Sequence, residues 1–247
     1  MPPLTSCESA MSDCDLCQAV NPAVGRCALQ DHLHADQHRI VAASRHAAAV
    51  PTIGAFVPGY LLVVPTRHVL SLGQLPDHEL RAVEEFARQM ADRLHHVYRQ
   101  PVLTFEYGLN VPGGRRVSHG HLHMLPTTAR LPEWLSTRLP GHEIDSFTRL
   151  PRTDSTSYIA VQDWTGTLMC YPVPNDAAPR IRLREVVAQL DPRVADEAWD
   201  WQAHPFPELM RATVDDLTAS AMPRGQQSGS HPLVAALQPS VPAGRAS

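Results

Sequence analysis

The sequence contains no lysine: all 21 basic residues of the 247 are Arg. No Schiff-base chemistry or lysine phosphate clamp is available to this chain. Any charged contact to phosphate falls to Arg, which favours bidentate geometry. Long apolar runs are also missing, and none approaches the roughly 20 residues that span a bilayer. The first 20 residues have neither a basic start nor an apolar core, so no signal peptide is expected there. The reading expects a cytoplasmic protein with no membrane partner. Excess charge of one sign is lacking too. A net charge of −4 gives no footprint for general nucleic-acid binding. Five Cys, an odd number in a chain of this size, argue against a disulfide framework and turn attention to metal binding.

What is present is an ordinary globular composition, 43% hydrophobic and 19% charged. Residues 1–12 are polar and are expected to be disordered. Residues 38–43 and 60–65 (YLLVVP) read as strands, with turn signals at Val50–Gly54 and Pro58-Gly59 between them. Over 77–99, Leu80, Val83, Phe86, Met90, Leu94 and Val97 form one apolar helical stripe, with Asp77 as N-cap and Pro101 beyond its end. Residues 102–107 and 117–125 read as a hairpin around a Gly/Pro-rich loop. Strands, one helix, then strands predict an α+β domain with an antiparallel sheet. Residues 127–150 look irregular and Pro-punctuated. Two more strands are expected at 157–162 and 167–173, helices near 180–190 and 207–219, and a disordered Pro/Gly/Ser/Gln tail from 222 to 247. The expected division is a catalytic domain over 13–130 and a smaller α/β C-terminal extension over 131–221.

The run His119-Gly120-His121-Leu122-His123-Met124-Leu125-Pro126 stands out. Side chains alternate along a strand, so the three imidazoles share one face while Leu122 and Met124 point to the other. A solvated histidine face is disfavoured because the flanking runs are too apolar. Two chemical readings remain: the three rings bind one catalytic metal, or they serve phosphate chemistry.

The run resembles the signature of the histidine-triad (HIT) superfamily, His-φ-His-φ-His-φ-φ with φ apolar, Gly120 being its one weak φ position. The surroundings are also similar. Gly113-Gly114-Arg115-Arg116-Val117-Ser118 stands where many HIT proteins have Gly-Gly-Gln-Ser-Val-x. Phe105-Glu106-Tyr107-Gly108 resembles a bacterial Phe-Glu-His-Gly run. The segment from Pro58 through Tyr60 and Pro65 to His68 resembles Gly-His-x-Leu-Val-x-Pro-Lys-x-His. The resemblance covers roughly residues 12–130.

It implies that His121 is the nucleophile toward the α-phosphorus of a nucleotide, forming a nucleotidyl-histidine, and that His123 holds the phosphate. A His at position 123, where transferring branches often carry Gln, favours hydrolysis of a nucleoside monophosphate conjugate: a dinucleoside polyphosphate, a nucleotide-activated metabolite or a phosphoramidate. Transfer of the nucleotide to phosphate or a small acceptor is the alternative. Asn110, Gly114, Arg115, Arg116 and Ser118 are candidates for phosphate or ribose contacts, with solvated loop residues as the plain reading of the arginines. Cys14-x-x-Cys17 has zinc-knuckle spacing. In zinc-bearing branches related to galactose-1-phosphate uridylyltransferases, the matching partners are His68 and His119, so a structural zinc held by Cys14, Cys17, His68 and His119 is implied. So, by analogy only, is a homodimer. Cys170 reads as core, and His32, His34 and His38 as solvated. Trp199 and Trp201 read as packing aromatics, and Arg180, Arg182 and Arg184 as a solvated helix face.

Overall fold

The computed structural model describes residues 14–21, 23, 27–108, 119–152, 157–173 and 181–220. The expected disordered termini, and the phosphate candidates Asn110, Gly114, Arg115, Arg116 and Ser118, lie outside the described residues. Among the described residues no helix is long and apolar enough to cross a membrane.

The chain builds one eight-stranded antiparallel sheet: β1 (Ala42–Ala43), β2 (Ala47–Pro51), β3 (Leu61–Pro65), β4 (Val102–Gly108), β5 (Leu122–Pro126), β6 (His142–Ile144), β7 (Ser157–Gln162) and β8 (Leu168–Val173). Their order across the sheet is β1-β2-β3-β5-β4-β7-β8-β6. Among the described residues five helices complete an α+β fold: α1 (Asp15–Val20), α2 (Asp77–Tyr98), α3 (Leu131–Ser136), α4 (Leu183–Leu190) and α5 (Pro207–Ala219).

The central strands read as continuous apolar runs because both faces of the sheet are covered. On one face the α2 stripe, Leu80, Val83, Phe86, Met90 and Leu94, packs with Leu61, Val63, Leu122 and Met124. On the other, Leu16, Val50, Leu62, Phe105, Leu125, Val187 and Met210 share a second core. That second face carries the histidines. Helix α2 starts one residue earlier than an Asp77 cap allows: Pro76 is the N-cap and Asp77 the first helical residue.

Three local departures from the sequence reading matter. Residues 47–51 form β2, although Val50-Pro51 had the look of a turn. Pro51 is tolerated because it ends the strand, opposite Leu61. Residues 131–136 and 142–144 are ordered as α3 and β6 within the segment expected to be irregular. Among the described residues the histidine strand begins at Leu122, and residues 119–121 lie outside it.

The C-terminal strands are not a separate layer. They prolong the sheet, because β7 pairs with β4 from Thr104↔Gln162 to Gly108↔Tyr158. A polar joint fixes the rest of this segment to the end of the histidine strand. Asp191, 1% exposed, accepts from the Thr127 hydroxyl at 2.7 Å and from Arg193, while Arg193 donates to the Pro126 carbonyl at 3.0 Å.

Burial opposes ionisation of Asp191, but hydrogen bonds from Arg193 and Thr127 outweigh it and hold the carboxyl below its ordinary value. A depressed folded-state pKa stabilises the fold above the unfolded value of about 3.9 and ceases to do so as pH falls through the folded value. Asp191→Ala is expected to cost about 2 kcal/mol in urea unfolding at pH 7. That is below the range for a fully buried pair, because the Arg193 side chain is 45% exposed. The deficit should shrink as the pH is lowered past 4. A deficit unchanged down to pH 3 would contradict this account.

Candidate functional site

Gly120 sets the local geometry of the site. Its N–H donates to the Val69 carbonyl at 2.7 Å. A Cβ there would lie 2.9 Å from the Ser71 backbone, so only glycine lets the 69–72 turn approach. This contact draws the chain off the sheet and separates the three imidazoles into two groups.

His119, fully buried, turns Nδ1 toward two thiols, 3.5 Å from Cys14 Sγ and 3.4 Å from Cys17 Sγ. His68 Nδ1 lies 3.2 Å from Cys17 Sγ. The ligand atoms of Cys14, Cys17, His68 and His119 all fall within 4.8 Å of one another, a group able to hold a metal ion. The donor chemistry suits a metal. The thiols are buried and in no disulfide. Burial, reinforced by repulsion from His68, lowers the His119 pKa to about 4 and keeps its ring neutral. His119 Nε2 faces the Pro65 carbonyl at 3.1 Å, which leaves Nδ1 as the lone-pair nitrogen. Helix α1 is capped by Cys14 itself, whose Sγ accepts from the Cys17 N–H.

His121 and His123 form the second group. The Nδ1–H of His121 donates to the His119 carbonyl at 2.6 Å, so Nε2 carries the lone pair. That Nε2 lies 3.1 Å from His123 Nε2. One hydrogen is needed between them, and it belongs to His123. His123 Nδ1 then accepts from the Tyr60 hydroxyl at 2.9 Å, which gives one consistent relay from Tyr60 through His123 to His121. Stacking on Phe105, with centroids 4.7 Å apart and 13° between planes, holds the His123 ring. Burial, with further repulsion from His121 and Arg184, keeps His123 well below the ordinary imidazole pKa and therefore neutral. Tyr60 stands where the resembling segment carries His. Burial raises its phenol despite the opposing effect of Arg184, so it remains a donor. The three histidines thus do not converge on a single point, and among the described residues the metal-competent group contains neither His121 nor His123.

The two histidines open into a cleft of about 380 Å³, walled by Leu16 and Ala19 of α1, Leu29, Ile53, Leu62 and, from the C-terminal segment, Arg184 and Trp201. The reading of Arg184 as solvated is therefore corrected, while Trp201 packs against Gly54 and also lines the cleft. Helix α4 begins at Leu183, so Arg182 precedes it while Arg184 turns inward. His34 and His38 are exposed and Cys170 is buried.

Sequence reasoning also missed what holds the 69–74 turn. Glu106, 1% exposed, accepts from the Leu72 N–H at 2.7 Å and from the Tyr158 hydroxyl at 2.6 Å. Tyr158 in turn accepts from the Gly73 N–H at 3.0 Å. A glutamate inside an otherwise apolar strand was the available signal, since a buried carboxylate needs donors.

Comparison with known proteins follows the same lines. Residues 34–130 match the family model of the HIT domain. A 16.1 kDa HIT-like protein of Mycoplasma pneumoniae is 28% identical over 86 residues, 35% of this chain and 60% of that protein. The chain thus spans about three fifths of that relative's length. A solved HIT family protein from Bacillus anthracis is 18% identical, with a TM-score of 0.34, over 46% of this chain and 72% of that one. Yeast Ap4A phosphorylase is 11% identical, with a TM-score of 0.37, over 70% and 78% of the two chains. The matched segment is the one that supplies His68, His119, His121 and His123.

Proposed function

We propose that this protein is a nucleotide hydrolase that cleaves nucleoside monophosphate conjugates through a nucleotidyl-histidine at His121. The observation that carries this reading is the bond from His121 Nδ1–H to the His119 carbonyl. It commits the ring's lone pair to Nε2, which faces His123 at 3.1 Å in a largely apolar cleft.

In the first step Nε2 bonds to the α-phosphorus. The bond from phosphorus to the leaving group breaks, and its electron pair departs with that group. The Nε2–H of His123, aimed at the same position, donates to a phosphoryl oxygen. In the second step a water oxygen bonds to phosphorus, the P–N bond breaks, and its electron pair returns to His121 as the water proton is released. A transferase shares the first step and differs in the acceptor of the second. Asn110, Gly114, Arg115, Arg116 and Ser118 remain proposed phosphate or ribose contacts, on the strength of the family resemblance.

Zinc is the proposed occupant of the Cys14, Cys17, His68 and His119 group. A zinc-sized ion held tetrahedrally by sulfur and nitrogen spaces those donors about 3.6 Å apart, close to the 3.2–3.5 Å separations present. With four protein ligands the ion has no open position, so its contribution is structural. A homodimer and a cytoplasmic location belong to the proposal as well. Both sheet edges, β1 and β6, are strands of only two and three residues, so subunit contact through helices or loops is the arrangement this fold favours.

The test is intact-protein mass spectrometry after brief exposure to a panel of nucleotide conjugates, followed by product analysis in 18O-labelled water. A nucleotidyl mass gain on His121, with label in the released monophosphate, is the expected result. An unmodified His121 under turnover would remove the mechanism. Nucleotide recovered joined to phosphate or another acceptor, with no labelled monophosphate, would move the protein to the transferases.

A further inference from the structure

We infer that Arg184, delivered by the C-terminal segment, selects nucleotides that carry a second anionic group beyond the phosphate under attack; this rests on the proposed nucleotide chemistry of His121. Arg184 is the one permanent cation among the described residues that line the cleft with His121 and His123. Among the described residues no ion pair gives it a carboxylate partner. The cleft is mostly apolar and its described lining holds one carboxylate, Asp15; a half-buried guanidinium that no described carboxylate pairs with is a site that an anionic ligand group fills.

Its placement is built rather than incidental. Nη2 donates to the Gly54 carbonyl and Nε to the Trp199 carbonyl at 3.3 Å. The guanidinium lies over the Tyr60 ring, 5.0 Å from its centroid, and donates to the Tyr60 oxygen. Three contacts leave part of the five-donor fork available to a ligand. Gly54 makes the arrangement possible. It has φ +74°, and a Cβ there would fall 2.3 Å from Trp201 Cβ and 3.0 Å from Arg184 Nη2. Its N–H also donates to the Pro205 carbonyl at 2.8 Å. The 52–54 loop and the 199–205 segment are therefore joined around the guanidinium.

The position along the cleft sets the ligand chemistry. The attacked phosphoryl belongs at His121 Nε2. Arg184 contacts Tyr60, Tyr60 meets Nδ1 of His123 at 2.9 Å, and it is the opposite nitrogen of that ring, Nε2, that faces His121 at 3.1 Å; Tyr60 and the His123 ring thus separate the guanidinium from the attacking nitrogen. The group it meets is the next charged group of the substrate. A diphosphate or polyphosphate linkage supplies one, whereas a phosphoramidate with an amine leaving group does not.

Two measurements test the inference. Calorimetric titration of nucleoside 5′-monophosphates and 5′-diphosphates into wild type, Arg184→Gln and Arg184→Lys reads the affinity ratio between the two ligands. The ratio is expected to favour the diphosphate in wild type, to fall about 10- to 100-fold in Arg184→Gln, and to return in part with Arg184→Lys. Turnover of dinucleoside polyphosphates against nucleoside phosphoramidates should show the same loss of preference. A ratio that is the same in wild type and Arg184→Gln, or a uniform weakening of both ligands, overturns the inference. The binding ratio needs no covalent step. Loss of the preference in Arg184→Gln without any adduct on His121 would therefore defeat the hydrolase reading and leave the anion site standing.

Discussion

Replacing His121 with alanine is expected to lower kcat/KM for nucleotide conjugates by about 10⁴-fold or more, in line with removal of a covalent nucleophile. The size of the effect follows from the geometry. Among the described residues no neighbouring group offers a second nucleophile in the same place: His123 Nε2, 3.1 Å away, carries the hydrogen and has its other nitrogen occupied by Tyr60. The comparison variant is His123→Ala. It removes a hydrogen-bond donor to the phosphoryl group and should cost about 10²- to 10³-fold, with the adduct on His121 still formed, only more slowly. Single-turnover kinetics with mass detection separate the two. The His121 variant should show neither burst nor adduct; the His123 variant should show a slowed burst. Equal losses with no adduct in either would mean that the rings act as a unit and that assigning the nucleophile to His121 is unsupported. Turnover persisting in His121→Ala at more than a tenth of the wild-type rate would sink the covalent mechanism outright.

Much of the site was readable in the sequence because its members keep short, chemically distinctive spacings. Two cysteines three apart and three histidines two apart are rare combinations, and the alternation of a strand already placed Leu122 and Met124 opposite the imidazoles. The reading faltered where distant parts of the chain decide. Whether His119 continues the strand depends on the Val69–Ser71 backbone pressing on Gly120, and no local pattern reports that. Val50-Pro51 looked like a turn because proline is scarce inside sheets. Its place at the end of β2, opposite Leu61, is set by pairing rather than by propensity. Arg180, Arg182 and Arg184 looked like one solvated face because even spacing suggests equivalence. Helix α4 starts between Arg182 and Arg184, and Gly54 draws only the latter inward. The C-terminal strands were expected as strands, but their continuity with β4 is a register property invisible to periodicity.

Replacing both Cys14 and Cys17 with alanine is expected to abolish stoichiometric zinc binding and to destabilise the fold by about 4–5 kcal/mol. The estimate treats the metal as a cross-link. It ties Cys17 to His119 across 102 positions, and closing a loop of roughly 100 residues is worth about that much in chain entropy. The cost should exceed what loss of two buried thiols explains by packing alone, since each is a small side chain at the edge of the core. A functional consequence follows from position. Helix α1 begins directly after Cys14 and supplies Leu16 and Ala19 to the cleft wall. Release of the thiols therefore frees the wall against which a nucleoside would pack. KM should rise more than kcat falls, because His121 keeps its bond to the His119 carbonyl only as well as the 119–121 turn is held by Gly120. The experiment pairs elemental analysis with thermal unfolding, for wild type with and without a chelator and for the double variant. Chelated wild type and the double variant should unfold at the same, lower temperature, while His121→Ala should retain its zinc. Tightly bound stoichiometric metal surviving in the double variant would show that the histidines hold an ion without the thiols. The separation of the triad into a ligand, His119, and a nucleophile, His121, would then have to be abandoned.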